Sequence, residues 1–247
     1  MALTELSDAH KSTRETLQIV AVHILARARL AGTGRFGLRV TPGGFGTPEF
    51  GDGPGRIRMS GAMLIVESGA AGAASSRATS IDGSTLAELA TFAGVDLETN
   101  VDVGHDTPPL PDPQAKLSAD GPAAEAIAAW YDVTNRALDR VGEFVGRSAA
   151  ASLVQLWPEH FDVAFDAAYD DRDPKSRRAN LGGSPGDGFE AMPYAYIGPW
   201  SAGRPGDSAF WNAPFGAVLR YRNVSDSSDP VGKVSAFFVD GLRRLRG

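Results

Sequence analysis

The 247-residue chain contains no cysteine, which excludes disulfides, thiolate nucleophiles and cysteine-ligated zinc. Long apolar runs are missing as well. The most apolar segment, Ile19 to Ala26, is interrupted by His23 and followed by Arg27 and Arg29, and it falls far short of the roughly 20 residues that span a bilayer. The opening "MALTELSDAHKSTRETL" has no basic stretch leading into an apolar one. It does not read as a secretory signal, so a cytoplasmic location with no membrane partner is expected. Histidine is scarce, with four copies. A structural zinc site would have to draw on these and on carboxylates alone, so neither metal nor cofactor is expected. An excess of positive charge is also lacking. Residues 1–110 carry 9 basic and 12 acidic side chains and residues 111–247 carry 15 and 18, so each part stands at -3. With no basic lobe to follow a phosphate backbone, no nucleic-acid partner is expected.

What remains is the composition of a globular chain, 43% hydrophobic and 22% charged, long enough for one large core or two closely packed halves. "STRETLQIVAVHILARARLAG" predicts a helix capped by Ser12 or Thr13, closed before Gly32, and apolar round most of its surface. Strands are predicted at "RFGLRVT" and along "RIRMSGAMLIVES", whereas "PGGFGTPEFGDGPG" between them is too rich in glycine and proline for an interior strand. "AGAASS" reads as a small-residue bridge. A short helix follows from Ser84 to Phe92, capped by Ser84 and closed by Gly94. "HDTPPLPDP" is an extended connection. A second long helix has Pro122 at its first position, strands follow at "SLVQLW", "HFDVAFDAAY", "MPYAYIGPW" and "FGAVLRYRNV", and Asp229 and Pro230 open a final helix. Strands that do not alternate singly with helices argue against a doubly wound parallel sheet. The expected class is therefore α+β, with largely antiparallel sheets, helices on one side, and two similar helix–strands–helix halves. One compact unit is expected over 1–247, with subregions 1–110 and 111–247 joined by the Pro-rich link.

Chemistry concentrates in two places. In "WPEHFDVAF", strand alternation would set His160 and Asp162 on one face, with Glu159 and Trp157 close by. An imidazole oriented by a carboxylate suits proton transfer or ligand binding; the same pair equally suits a half-buried histidine that only satisfies its hydrogen bonds. In "NLGGSPGDGFEAMPYAYIGPW", four glycines lead through a proline turn into a strand on which Tyr194 and Tyr196 share a face. That turn displays Asp187 and Glu190, and Trp200 lies beyond the strand. There is no phosphate-loop lysine and no serine-hydrolase elbow around Ser184. Arg220 and Arg222 are expected on one face of a late strand, either as anion partners or as cross-strand ion pairs. The acidic run from Asp170 to Asp173, with Asp162 and Asp166, offers carboxylates of the kind a weakly held magnesium or calcium ion accepts.

Taken in order, "LWPEHFDVAF", "SPGD", "PYAYIGPW" and "DPVGKVSAFF" resemble a bacterial domain-of-unknown-function family. Its members carry an "HFDLAF"-like strand, a Gly/Ser/Pro turn near an acidic residue, an aromatic "YxY" strand ending in proline, and a helix beginning "DP". The matching positions here are Trp157, Phe161, Asp162, Ala164, Phe165, Ser184 to Asp187, Tyr194, Tyr196, Pro199, Asp229 and Pro230. The front of the chain is similar too, at Thr16 to Val20 and Val40 to Pro42. The chain departs from the pattern in the insertion "SAGRPGDSAFWNAP". The resemblance implies a compact bacterial cytoplasmic protein and supplies no reaction. The expectation from the residues is a small polar metabolite bound in a cleft between the His160–Asp162 strand and the Ser184–Glu190 turn. Trp157, Glu159, Asp187, Glu190, Tyr194, Tyr196, Trp200 and Arg220 would contact it. The alternatives are a structural or protein-interaction module, and a metal-independent enzyme in which His160 and Asp162 are catalytic, His160 as acid/base.

Overall fold

The computed structural model describes residues 3–50, 55–69, 75–99, 103–104, 106–146, 150–170 and 172–247; His105 and Asp171 lie outside them. The opening helix begins earlier than its hydroxyl residues suggest. α1 (His10–Val20) has Ala9 at its N-cap with no side-chain bond, and Ser12 turns its hydroxyl back to the Ala9 carbonyl. The helix does not stop at Gly32. It passes through a π-helical segment (Ala21–Ala26) into α2 (Arg27–Thr33), which Gly34 closes in the left-handed conformation at φ 69°. All six residues of the π segment are buried, as apolarity all round the helix predicts. His23 is among them. Burial, then the nearby Arg27 charge, holds its pKa below the ordinary value, against the opposing pull of the Pro109 and Pro108 carbonyls.

β1 (Arg39–Thr41), β2 (Gly44–Gly46), β3 (Arg56–Ser60), β4 (Met63–Ser68) and β5 (Ser75–Ser80) form an antiparallel meander in that order. "RIRMSGAMLIVES" is thus a hairpin rather than one strand, with Met59 opposite Leu64 and Ile57 opposite Val66. β2 lies inside the stretch excluded above as too glycine-rich. Its glycines are what admit it, since a Cβ on Gly46 would stand 2.4 Å from the Arg58 Cβ. β5 had no sequence signal because its residues are almost wholly exposed and its pairing to β4 runs through the backbone. α3 (Leu86–Ala93) is capped by Thr85 rather than Ser84. Thr85 and Glu88 bond each other's backbone in a capping box, the arrangement that satisfies two orphan amides at once.

α4 (Gly121–Val145), β6 (Gln155–Trp157), β7 (Asp162–Ala168), β8 (Arg178–Ser184), β9 (Tyr194–Pro199), β10 (Ala217–Arg220) and α5 (Pro230–Arg246) complete the chain. β6 to β10 form a second meander, so the order helix, five strands, helix occurs twice in an α+β fold. Asp229 caps α5 by accepting from the Gly232 amide, and Val231, Val234, Phe238, Leu242 and Leu245 are its buried face. Arg222 is not on the strand; β10 ends at Arg220 and a 3₁₀ turn (Tyr221–Asn223) follows.

The chain packs as two units. An N-terminal unit holds Glu5–Ala129 and Leu156–Phe161; a C-terminal unit holds Met1–Thr4, Trp130–Gln155 and Asp162–Gly247. They part inside α4, between Ala129 and Trp130, and not at the Pro-rich link between 110 and 111. In the C-terminal unit, α4 and α5 cover one face of the sheet. Thr134 of α4 fills the space where a Cβ on Gly183 would stand, and Ile197 of β9 abuts Gly241 of α5. Among the described residues no helix is long and apolar enough to cross a membrane.

Candidate functional site

Phe161 decides the course of "WPEHFDVAF". Its φ is 55°, a left-handed value that is uncommon for a bulky residue. Its amide bonds back to the Trp157 carbonyl at 2.7 Å, closing a turn over 157–161. Its ring is buried edge-on against Phe45, 5.3 Å between centroids, and that packing offsets the backbone strain. Strand alternation therefore starts at Asp162, and His160 does not share its face. This corrects the expected pair, whose members fall in different units. His160 is half-exposed in the N-terminal unit, its Nδ1 3.7 Å from Asp106 Oδ2. Glu159 is buried there, with its backbone carbonyl accepting from Gln18 Nε2 at 2.8 Å. Trp157 packs edge-on to Phe36 in the same unit. These three residues are not drawn to the Ser184–Glu190 turn within one unit.

The remaining candidates gather on the helix-free face of the C-terminal sheet. Ala164, Gly182, Tyr196 and Val218 lie in register across β7 to β10, and Ser184, Tyr194 and Arg220 form the next rung. Side chains alternate along a strand, so Asp162, Asp166, Arg178, Asn180 and Trp200 belong to the same face. β8 was the strand the sequence concealed, its Gly182 and Gly183 reading as part of a turn. Both glycines are required by what passes beside them. A Cβ on Gly182 would stand 2.6 Å from the Tyr196 hydroxyl and 2.8 Å from the Ala164 Cβ. Tyr196 thus leans from β9 across β8 and donates its hydroxyl proton to Asp162 on β7.

Tyr194 makes the matching bond at the turn, donating to Asp187 Oδ2 at 2.5 Å. Asp187 Oδ1 also accepts the Phe189 and Glu190 amides at 2.8 and 3.1 Å, an Asx turn that fixes the loop. Glu190 Oε2 meets Arg220 Nε at 2.9 Å. Burial, then Asp187, raises the Tyr194 pKa, while a hydrogen bond from Ser184 opposes the rise. Burial, then the Asp162 charge, holds Tyr196 well above its ordinary value. Both phenols are therefore proton donors at neutral pH and not bases.

Trp200 is 57% exposed and stands at the opposite end of this face. It donates to Asn180 Oδ1 at 2.8 Å and lies under Arg178, which in turn pairs with Asp166. Two of the carboxylates offered to a hard cation, Asp170 and Asp166, are matched by arginine. Arg172, with Arg177, holds the Asp170 carboxyl well below the usual range, and Asp166 has Arg178. Among the described residues no group of three or more His, Asp and Glu side chains is placed to hold a metal. Sequence reasoning missed Gly182, Phe189 and Phe215. Phe189 packs edge-on to Tyr194 and to Phe215, and Phe215 to Tyr196. The signal for Phe189 and Phe215 was an aromatic residue next to glycine in a loop, "GDGFE" and "APFGA".

No protein-family model, curated protein or solved structure matches the chain.

Proposed function

We propose that the C-terminal unit binds a small polar metabolite on the helix-free face of its sheet, at Asp162, Asp187, Glu190, Tyr194, Tyr196 and Arg220. The observation that carries this reading is the pair of phenol–carboxylate bonds, Tyr196 to Asp162 and Tyr194 to Asp187. Buried polar groups cost stability unless every partner is in place, and an apolar set of similar volume would cover a sheet more simply. Polar groups kept at such a position, beside partly exposed rings, are the usual lining of a small-molecule site. Binding is favoured over acid–base catalysis because each phenol already donates its proton to a carboxylate of the protein. The test is a thermal-shift screen of polar metabolites against the wild type and Tyr196→Phe. A ligand that binds only the folded form raises Tm by mass action. Hits that stabilise the wild type and leave the variant unmoved support the reading; hits that stabilise both equally place the ligand elsewhere.

A protein-interaction surface is the rival reading. Phe189, Met192 and Phe215 are 43%, 44% and 38% exposed, and exposed apolar side chains on neighbouring loops suit a protein partner. A partner reading requires Met192→Ser to weaken association; a metabolite site centred on the phenols tolerates that change.

A further inference from the structure

Most arginines of this protein are matched. Arg56 and Arg58 meet Glu67, Arg172 and Arg177 meet Asp170, Arg178 meets Asp166 and Arg220 meets Glu190. Arg27 donates to two backbone carbonyls, and Arg77 lies over the Phe92 ring. Among the described residues, the guanidiniums with no acceptor, carboxylate or ring are those of Arg140 and Arg222, both exposed, and of Arg29, Arg35 and Arg39. The last three stand together in the N-terminal unit. Arg29 lies on α2 and Arg35 in the turn that closes it. Thr33 ties their backbones, donating its hydroxyl to the Arg29 carbonyl at 2.7 Å and accepting the Arg35 amide at 3.2 Å. Leu38, beside Arg39, exchanges two backbone hydrogen bonds with Leu156 at 2.7 and 2.8 Å, which pins the start of β1.

Nothing in this neighbourhood neutralises the three charges. The residue opposite Arg39 on β2 is Gly46, so the position of a cross-strand carboxylate has no side chain. Opposite Gly46 on β3, Arg58 is already engaged by Glu67, and Glu49 faces Arg56. Arg29 is partly buried. Burial, then the Arg35 and Arg39 charges, holds its pKa below the ordinary value, and among the described residues no carboxylate opposes the fall. A helix C-terminus attracts cations, but that does not account for the group. The Leu30 and Arg29 carbonyls at the end of α2 already accept from the Gly34 amide and the Thr33 hydroxyl, and none of the three guanidiniums donates to a carbonyl. Three unmatched guanidiniums repel one another unless an anion stands among them.

We infer that Arg29, Arg35 and Arg39 form a site for the phosphate group of a small phosphorylated metabolite. Forked guanidinium donors match phosphate oxygens two at a time, and a phosphate monoester carries nearly two negative charges at neutral pH where a carboxylate carries one. A nucleic-acid backbone fits less well. Residues 1–110 stand at -3, and the neighbouring Arg56 and Arg58 are taken by Glu67, so no basic track continues beyond the three. The site belongs to the N-terminal unit and is independent of the tyrosine face of the C-terminal sheet.

The test titrates the full-length protein with inorganic phosphate, methyl phosphate and acetate at neutral pH and constant ionic strength, followed by the arginine side-chain N–H resonances. Saturable movement is expected at Arg29, Arg35 and Arg39 with both phosphates, while Arg140 and Arg222, equally unmatched, stay still. Acetate should bind roughly tenfold more weakly. Arg35→Gln and Arg39→Gln change exposed residues, and their folding is checked by amide spectra. Each should weaken phosphate by roughly tenfold, and Arg29→Gln by at least as much. Arg39→Lys keeps the charge without the fork and should also weaken it. Tyr196→Phe should bind phosphate as the wild type does, so this site and the tyrosine face stand or fall separately. Equal movement at Arg140 and Arg222, acetate bound as tightly as phosphate, or glutamine variants that bind like the wild type overturns the inference. Binding of inorganic phosphate without methyl phosphate overturns it too, because a phosphorylated metabolite presents an ester.

Discussion

The two sheets have the same strand order and opposite treatment of their faces. In the N-terminal sheet, Ile57, Met59 and Leu64 are buried, while the other face carries Arg56, Arg58 and Glu67, joined by ion pairs at 2.6 and 2.8 Å. That is the ordinary division of an antiparallel sheet, apolar within and charged without. The C-terminal sheet packs one apolar face under α4 and α5 and then buries Asp162, Ser184 and Tyr194 on the other. Strand formation needs none of these polar groups. The contrast teaches that a buried polar face, and not an exposed one, distinguishes a candidate site from a solvated surface.

The comparison is broken most severely at Gly182. Gly182→Val would force the Tyr196 ring off Asp162 and is expected to cost about 3 kcal/mol, measured by urea unfolding, with loss of ligand binding. Tyr196→Phe is milder. It removes the phenol donor from a buried carboxylate and should cost about 2 kcal/mol; an effect under about 0.5 kcal/mol would mean that Asp162 does not rely on Tyr196.

pH separates the two units by direction. Tyr194 and Tyr196 have pKa values raised above 10.0. Their contribution is whole below that pH and is lost as pH rises through the folded values, because the unfolded chain gives up its protons first. Two tyrosines should therefore resist ionisation in an absorbance titration until unfolding, and Tyr194→Phe with Tyr196→Phe should flatten the alkaline loss. His23 in the N-terminal unit is lowered from 6.5 by burial, then by Arg27. Its contribution is whole above that pH and is lost as pH falls through the folded value; His23→Gln should flatten that acid-side slope. The smallest effect is expected at Glu67→Gln. It breaks two partly exposed ion pairs of the N-terminal sheet and should cost under about 1 kcal/mol, with ligand binding intact.

Much of this architecture was legible wherever a residue acts locally. The Asp229–Pro230 helix start, the tyrosine pair on one strand face and the turn displaying Asp187 all follow from side chains that act on their own backbone. What escaped is decided by distant neighbours. Gly182 and Gly183 read as a turn because the sequence does not show that Tyr196 and Thr134 occupy the space beside them. Phe161 read as part of an unbroken alternation, and only its packing against Phe45 holds the left-handed backbone that separates His160 from Asp162. The π segment around His23 left no trace, since burial on all sides looks the same in any helix.

The account is tested most directly by mapping where a metabolite hit from the thermal-shift screen moves side-chain resonances in the wild-type protein. The expected perturbations centre on Tyr194, Tyr196 and Arg220 and leave the N-terminal sheet unmoved. Perturbations centred instead on His160 and Asp106, or on the Arg56–Glu67–Arg58 face, would contradict it.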